Sequence, residues 1–257
     1  MSQVAVVIIT KNEENRLQSC LSQVKKLTDE IIIVDDESTD RTREIAGEYG
    51  AKVIVRRSDS FFARQRNAGA ELVKSPWFMS LDADEIMSDE TIAKIKQALA
   101  SAPQQTGAFK IRRLNYFFGK PIYHAGNYMF LLKIFRKEAR DRGLVHEDWK
   151  FQGQISQIDA SIDHYPFTSM PGLIAKVVQY TSKDAEAYVQ SCDKVLFKEI
   201  RYGLTLKPLK TFWKLYFKKQ GYKDGAHGLV FCVFNVVGPM IRWFMIWEEA
   251  QKQNKLV

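Results

Sequence analysis

Two short acidic motifs contain the residues best suited to chemistry. The apolar run EIIIVDD ends in Asp35 and Asp36, and the segment LDADE places Asp82 and Asp84 two residues apart. In an extended chain such side chains point to the same side, so Asp82 and Asp84 can share a divalent cation. A bound Mg²⁺ or Mn²⁺ would in turn bind phosphate oxygens. For Asp35 and Asp36 two interpretations stay open: a metal site in a phosphorylation switch, or a contact to a nucleotide.

The elements around both motifs alternate between strands and helices. We predict strands at 4–10, 30–36, 51–57 and 77–85, and helices at 13–27, 38–50, 61–74 and 88–102. Continuous apolar strands separated by helices predict a mostly parallel sheet that is covered on both faces. Ligands of such sheets bind at the carboxyl ends of the strands, where both acidic motifs lie. From Phe109 the pattern is less regular, with further strands predicted at 108–118 and 128–137.

Composition restricts the class of protein. The chain has 257 residues and a formal net charge of +8, which favours acidic partners such as anionic lipid, nucleic acid or phosphorylated substrates. Its three cysteines, Cys20, Cys192 and Cys232, are far apart and form no C-x-x-C pattern, so we expect neither a disulfide framework nor a zinc site. The first apolar run lacks a basic segment before it, which predicts a buried strand instead of a signal peptide.

Four segments occur in the order and at roughly the spacing of family 2 glycosyltransferases with the GT-A fold. They are VVIITKNEE, IIIVDDESTDRT, ARQRNAGAELVKSPWFMSLDADE and VHED. The chain resembles this family over about residues 1–165, and within it the branch of lipopolysaccharide-core glucosyltransferases. The resemblance implies an α/β, Rossmann-like fold with a mostly parallel sheet flanked by helices and a C-terminal helical extension. It also implies inverting transfer of a hexose, with glucose favoured, from a UDP-sugar to a hydroxyl.

The resemblance assigns roles to residues that match the family motifs by position. Asp35 matches the aspartate that binds uracil. Thr10, Asn12 and Glu13 match the first loop beside the uridine. Arg66 lies where the family often has a basic residue near the base or a phosphate.

The remaining matches concern the reacting groups. Asp82 and Asp84 match the family's D-x-D motif, with Asp84 implied as the main ligand of Mg²⁺ or Mn²⁺ and Asp82 nearer the ribose or a metal-bound water. Glu147 matches the later acid that acts as the base, with Asp148 as its rival. Because this chain has HEDW where many members have GED or EDxxF, the choice between Glu147 and Asp148 stays open.

Each of these residues also has a purely structural interpretation. Asp82 and Asp84 could form a solvated turn, and Asp35 could cap the helix that follows it. Arg66 could form a salt bridge on a helix face, and Glu147 could be an ordinary surface acid.

After Tyr165 the chain becomes helical and basic, which predicts a catalytic domain at 1–165 and an extension at 166–257. Segment 204–225 combines two sets of residues at helical spacing. One set is Leu209, Phe212, Trp213, Tyr216 and Phe217, and the other, on another side, is Lys207, Lys210, Lys214 and Lys218. This pattern is typical of a helix that lies in a membrane interface.

The next segment, 228–247, is apolar but is interrupted by Asn235, Gly238-Pro239 and Arg242. We therefore expect it to pack on the first domain or to dip into the interface, and not to span a membrane. A contribution to the core or to a homo-oligomer contact is the alternative for both segments.

The combined prediction is a cytoplasmic enzyme attached peripherally to the inner face of the inner membrane. Its expected partners are a UDP-sugar, a lipid-linked glycan acceptor and anionic lipid, and no recognised nucleic-acid motif is present. Two alternatives from other classes remain. One is a receiver-like phosphoacceptor domain built on Asp35-Asp36, Asp84 and Lys120-Pro121, and the other is a catalytically silent membrane-binding scaffold.

Overall fold

A computed structural model describes residues 3–58, 62–143, 148–166 and 169–257. The chain divides into two compact units. Unit 1 is Met1–Arg113 with Met129–His164, and unit 2 is Leu114–Tyr128 with Tyr165–Val257. Residues 114–128, which the sequence placed in the first domain, therefore group with the C-terminal helices.

The elements follow the predicted alternation over the first half of the chain. The strands are β1 (Val4–Thr10), β2 (Ile31–Asp35), β3 (Lys52–Val55), β4 (Trp77–Asp82), β5 (Glu85–Met87), β6 (Thr106–Phe117), β7 (Lys120–Pro121), β8 (Tyr128–Arg136), β9 (Arg140–Asp141), β10 (Trp149–Lys150) and β11 (Gln154–His164). The helices are α1 (Glu14–Leu27), α2 (Thr42–Glu48), α3 (Phe62–Ala70), α4 (Asp89–Ala100), α5 (Met170–Ser191), α6 (Phe197–Leu204), α7 (Leu206–Trp213) and α8 (Gly225–Lys252).

Among the described residues, one large sheet has the strand order β3-β2-β1-β4-β8-β6-β11-β5, with β7 paired to β6. The first four strands are parallel, whereas β8 runs antiparallel to β4 and β11 antiparallel to β5. The predicted class, an α/β fold with a mostly parallel sheet flanked by helices and a C-terminal helical extension, is confirmed.

The apolar sequence of unit 1 explains its packing. β1 is buried along nearly its whole length, as expected for a central parallel strand with helices on both faces. The predicted face of α1 is buried, and Ser88 caps α4 by accepting a hydrogen bond from Thr91 N. α3 lies very close to the sheet, because a Cβ on Gly69 would be only 2.3 Å from Val7 Cγ1. Glycine is therefore required at that contact.

Several predicted elements are shorter in the structure, and two predictions were wrong in continuity. The strand expected at 77–85 ends at Asp82, and β5 begins at Glu85 after a turn at 83–84. The helix expected within 204–225 is not continuous. It consists of α7, a π-helical turn at Lys214–Lys218 and a 3₁₀ turn at Gly221–Asp224, and it is interrupted at Gln220, whose φ of 57° lies in the left-handed region.

Unit 2 has its own apolar core, formed mainly by helices. In one cluster the indole of Trp243 on α8 packs against Gly203 of α6, together with Ala185 and Val189 of α5. In a second cluster, Phe117 and Ile122 pack against helix residues. These are Leu173 of α5 and Phe231 and Phe234 of α8.

Within unit 2, the helical segment Gly221–Lys252 is long and apolar enough to cross a membrane by length and composition, and it is the one such helix in the described part of the chain. Only 17% of its apolar window is buried. The interruptions at Asn235, Gly238-Pro239 and Arg242 do not break α8, which is continuous over Gly225–Lys252.

Candidate active site

The strand order of the sheet reverses beside the predicted residues. The chain adds β2 and β3 on one side of β1 and then returns to add β4 on the other side. In open α/β sheets, ligands bind at the carboxyl ends of the strands where the order reverses in this way. The register brings Thr10 opposite Asp35 and Ile9 opposite Asp82, so both acidic motifs lie at this reversal point.

Asp35 is fully buried and connects the loops that follow β1 and β2. Its Oδ2 accepts hydrogen bonds from the hydroxyl groups of Thr10, at 3.1 Å, and Ser38. Its Oδ1 accepts a hydrogen bond from Ser38 N at 2.9 Å. Asp35 thus holds Ser38, in the segment before α2, but it does not cap α2, which begins at Thr42 and whose N-cap residue makes no side-chain capping hydrogen bond. A contact from Asp35 to a base stays a prediction.

The loop after β1 is tied to the segment after β2 by hydrogen bonds between backbone N–H groups and side-chain oxygens. Asn12, with a φ of 53°, donates its N–H to Ser38 Oγ at 2.9 Å, and its Oδ1 accepts from Thr39 N at 2.8 Å. Glu13 N donates to Thr42 Oγ1 at 2.8 Å. The predicted uridine loop is therefore built into a defined shape, while Asn12 itself is exposed at its surface.

Asp36 has a different role from Asp35. Its carboxylate accepts from Lys11 Nζ at 2.9 Å and from Ser58 N at 2.7 Å, and so it joins the segments that follow β1 and β3. Burial opposes its ionisation, but the hydrogen bonds from Lys11 and Ser58 outweigh burial and lower its pKa.

The D-x-D motif adopts a turn and not an extended strand. Asp82 ends β4, and its N–H donates to Glu85 Oε2 at 3.1 Å across the turn. The prediction that Asp82 and Asp84 share one side of a strand is therefore wrong in its geometry. Both carboxylates nevertheless stay partly accessible, with side-chain exposures of 30% for Asp82 and 16% for Asp84.

A buried lysine lies beneath this turn. Lys133 on β8 places Nζ 2.6 Å from Glu85 Oε2 and 3.5 Å from Asp82 Oδ2, while Arg113 Nη1 is 3.8 Å from Glu85 Oε1. Burial disfavours the charge on Asp82, but Lys133 and neighbouring cations outweigh it and lower the pKa of Asp82. Burial raises the pKa of Glu85, the fully buried partner. The negative charge of the pair is thus directed to Asp82, the more accessible carboxylate.

Asp84 lies between two basic side chains. Arg16 Nη1 on α1 is 3.6 Å from Asp84 Oδ2, and His164 Nε2 at the end of β11 is 3.4 Å from Asp84 Oδ1. Burial opposes ionisation of Asp84, and the hydrogen bond with His164 and the charge of Arg16 outweigh it, so its pKa is lowered.

These side chains fit an open cation site better than a closed one. The described residues contain no group of three or more His, Cys, Asp or Glu side chains able to hold a metal ion. Mg²⁺, however, commonly binds through one or two carboxylates and takes its other ligands from water and substrate phosphates. Asp82 and Asp84, both with lowered pKa values, supply donors of that kind.

Arg66 and Asp141 form a second connection at the edge of the site. Arg66 Nη1 on α3 lies 3.2 Å from Asp141 Oδ2, so the predicted structural salt bridge of Arg66 exists. The side-chain amide of Asn67 pairs with both backbone groups of Asp141, at 2.7 and 2.8 Å. A contact from Arg66 to a base or phosphate stays a prediction.

Asp141 also holds described residues on both sides of segment 144–147. Its Oδ1 accepts from Gly143 N at 2.9 Å and from Asp148 N at 3.0 Å. The side chain of Asp148 is 55% exposed and pairs with Lys150 at 2.9 Å. Glu147 lies outside the described residues, and so does its neighbour His146.

The motifs do not predict the residues that support them, chiefly Lys133, Arg113, His164 and Asp141. One local signal was available: Lys133 interrupts the apolar run MFLLKIF, and a cation inside a buried strand requires an acidic partner. The others are separated from the motifs by many residues and carry no such signal.

The chain is similar to known glycosyltransferases. The model of the family described as Glycosyl transferase family 2 matches residues 5–151. The chain is 27% identical over 274 residues to an uncharacterized glycosyltransferase of Rickettsia conorii, RC0292, covering 99% of this chain and 93% of that protein. It is 28% identical over 277 residues to an uncharacterized glycosyltransferase of Rickettsia felis, covering 100% and 94%. Among solved structures, S. aureus TarS 1-349 in complex with UDP-GlcNAc matches with a TM-score of 0.49 and 13% identity, covering 99% of this chain and 93% of that one.

Proposed function

The chain belongs to glycosyl transferase family 2, and from this membership we propose that it moves a hexose from a UDP-sugar to an acceptor hydroxyl with inversion. The observation that carries the proposal is the meeting of Asp35, Thr10 and Asp82 at the strand-order reversal of the sheet. Family membership also excludes the receiver-domain alternative.

The donor would lie along the carboxyl ends of β1, β2 and β4. The loop of Thr10, Asn12 and Glu13, held in shape by Asp35, would contact the uridine. Arg66, fixed by Asp141, would lie near the base or the diphosphate. The loops are cross-linked by hydrogen bonds before any ligand binds, which lowers the entropy cost of binding.

Asp84, together with Asp82, would hold Mg²⁺ or Mn²⁺ against the diphosphate. Such a cation neutralises the charge that grows on the leaving oxygen. The chain's own contribution is to keep both carboxylates ionised, through Lys133 beside Asp82 and through Arg16 and His164 beside Asp84.

On the opposite face of the sugar, a carboxylate would take the proton of the acceptor hydroxyl as that oxygen attacks the anomeric carbon. Attack from behind the leaving group inverts the configuration. A positioned general base contributes about 10²–10⁴-fold. Glu147 is the first candidate and Asp148 the second, and Asp141 holds the backbone of Asp148 in place.

For the acceptor we propose a hydroxyl of the lipopolysaccharide inner core or of a similar lipid-linked glycan, with glucose as the sugar. This places the enzyme peripherally at the cytoplasmic face of the inner membrane. The support for a lipid-linked acceptor is the exposed aromatic and basic surface of unit 2.

Donor binding gives the direct test. We expect UDP-glucose to raise the unfolding temperature, more strongly with Mn²⁺ present, because a ligand that binds only the folded state stabilises it. Asp84→Asn should remove the Mn²⁺ effect and reduce transfer by roughly 10²-fold or more. Asp29→Asn, just before the amino end of β2, is the matched control and should behave as wild type. If no nucleotide sugar stabilises the protein, or Asp84→Asn responds as wild type does, the proposal is wrong and the silent-scaffold alternative gains.

The base is identified by a second pair of variants. Glu147→Gln should abolish transfer and leave UDP binding intact, while Asp148→Asn should retain most activity because its side chain is exposed and paired with Lys150. Transfer is measured by UDP release and nucleotide affinity by calorimetry. The reverse result assigns the base to Asp148, and loss of UDP affinity along with turnover contradicts the role of a base.

A further inference from the structure

Unit 2 carries the whole net charge of the protein. Its sequence contains fifteen Lys and Arg against seven Asp and Glu, a balance of +8, and the complete chain is also +8. Unit 2 is also the more apolar at its surface. Of the exposed large hydrophobic side chains among the described residues, twenty lie in unit 2 and four in unit 1. Surfaces that are both apolar and basic mark interaction sites.

One part of this surface combines the two properties most closely. The aromatic–lysine face, as we name it, comprises α7 and the π-helical turn after it, and it surrounds an open cleft of about 720 Å³. It is lined by Leu209, Lys210, Phe212, Trp213, Lys214, Phe217 and Lys218. Leu209 is 69% exposed, and Trp213 and Phe217 are each 52% exposed.

Lysines line the same cleft as the aromatic rings, whereas the sequence placed the two sets on different sides of a helix, and two of these lysines lie over rings. Lys218 Nζ is 5.1 Å from the ring centroid of Trp213, and Lys210 Nζ is 5.5 Å from that of Tyr202. Such side chains can place their aliphatic stems along apolar surface while the ammonium groups reach outward. The face therefore offers rings and ammonium groups side by side, the combination that suits the headgroup level of a bilayer.

The neighbouring helix identifies lipid, and not nucleic acid, as the better occupant. α8 exposes an aliphatic stripe at helical spacing, formed by Leu229, Val230, Val233 and Val237. Aliphatic side chains suit acyl chains, whereas single-stranded nucleic acids are bound by aromatic stacking platforms in basic grooves. Charge complementarity with the lysines then selects anionic lipid over neutral lipid.

We infer that the aromatic–lysine face docks the protein onto an anionic phospholipid surface, with Trp213 and Phe217 entering the headgroup region and Lys210, Lys214 and Lys218 contacting phosphates. This inference rests on the proposed function, because a lipid-linked acceptor is the reason why the enzyme would attach to a bilayer. The physical claim is a peripheral and reversible attachment that weakens with salt.

Vesicle flotation tests the electrostatic part. The purified full chain should float with phosphatidylcholine vesicles enriched in phosphatidylglycerol and should remain unbound with phosphatidylcholine alone. Each lysine near an anionic surface strengthens partitioning roughly fivefold. The triple variant Lys210→Glu, Lys214→Glu and Lys218→Glu should therefore bind at least about 100-fold more weakly.

A matched triple variant in unit 1 controls for net charge. Lys52, Lys74 and Lys137 are exposed there, and their conversion to glutamate removes the same total charge. We expect this control to bind vesicles within about threefold of wild type, since screening limits the effect of distant charges. If both triple variants lose binding equally, net charge alone explains the attachment and the inference is overturned.

Fluorescence quenching by brominated phosphatidylglycerol tests the insertion of the rings. Wild-type emission should be quenched by brominated vesicles, and Trp213→Phe should remove most of that quenching. Trp247 on α8 is also exposed, at 39%, so Trp247→Phe is the companion variant. Quenching that is lost with Trp247→Phe and kept with Trp213→Phe contradicts docking through the aromatic–lysine face.

Three further results would overturn the inference. They are equal flotation with neutral and anionic vesicles, self-association of the protein that the Trp213→Ser variant abolishes, and membrane attachment that survives high salt and alkaline carbonate, as a spanning α8 would show. Vesicle binding is scored without any sugar donor, beside the UDP-induced thermal shift. If the wild-type protein does not bind vesicles but UDP still raises its unfolding temperature, this inference alone is overturned. If it binds vesicles but UDP does not raise its unfolding temperature, the proposed transferase alone is overturned.

Discussion

Units 1 and 2 use charged and apolar residues in opposite ways. Unit 1 has a net charge of zero and encloses most of its large apolar side chains, and its buried Lys, Asp and Glu side chains, such as Lys133 and Glu85, lie in pairs. Unit 2 has a net charge of +8 and exposes aromatic rings with lysines over them. A buried ion pair holds two side chains in one defined position. An exposed mixture of rings and lysines suits a deformable partner such as a lipid surface.

The net charge of the whole chain therefore does not describe either unit, and lysines in the two units have different surroundings. Lys133 and Lys218 are both lysines near other functional groups. Lys133 is 3% exposed and keeps Asp82 ionised, while Lys218 faces outward over Trp213. The first should matter for stability and catalysis, and the second for attachment.

The largest contrast is expected from one kind of substitution made in both units. Phe78 in unit 1 is fully buried, with ring contacts to Phe135 and Trp149 at 5.6 and 5.8 Å. Phe78→Ala should lower the free energy of unfolding by about 3–5 kcal/mol, because it leaves a cavity. Trp213→Ala should change it by less than about 0.5 kcal/mol. Urea denaturation measures both, and a similar loss for the two variants would show that Trp213 belongs to a core.

A smaller effect is expected from the buried pair beneath the D-x-D turn. Lys133→Met leaves Glu85 fully buried without its cation and should destabilise the protein by roughly 3 kcal/mol. The cost lies at the low end because Glu85, whose pKa burial already raises, can take up a proton.

The double variant Lys133→Met with Glu85→Gln is the control, measured in the same denaturation experiment. It should recover much of the lost stability, since no charge is left buried. It should not recover transfer, because Asp82 has still lost its neighbouring cation. Recovery of both properties would show that Lys133 serves stability only.

The smallest expected effect concerns pH. The pKa of Asp36 in the folded state is lower than its ordinary value of 3.8, so its contribution to stability is complete above that value and is lost as pH falls through the folded-state pKa. Asp36→Asn should therefore be less stable than wild type near neutral pH, and the difference should shrink below about pH 4. Thermal unfolding across this range measures it, and a constant difference contradicts the assignment.

Much of unit 1 could be predicted from the sequence, because its signals are local. The apolar run of β1 predicts its bounds, the helical spacing in α1 predicts its buried face, and Ser88 predicts the start of α4. The turn at Asp84 could not be predicted, since DADE reads equally well as the end of a strand. The turn depends on two contacts of Glu85. Its side chain accepts from Asp82 N, and its backbone pairs with His164 of β11, a residue far along the chain.

The supporting residues of the site were hidden for the same reason. His164 and Asp141 reach their partners through sheet register and loop packing, which sequence spacing does not determine. In unit 2, periodicity predicted an amphipathic helix, but the π-helical turn at Lys214–Lys218 shifts its phase and carries Lys218 over Trp213. A single residue added to a helical turn is enough to change which side chains share a face.

Two strands are divided between the units: β6 starts in unit 1 at Thr106 and ends in unit 2 at Phe117, and β8 starts in unit 2 at Tyr128 and continues in unit 1. A protein shortened to end at His164 would keep Phe117 and Ile122 but lose every helix that shelters them. Such a fragment would expose these apolar side chains to solvent and should aggregate. The residues up to His164 are therefore not expected to form a soluble protein without the helices that follow them.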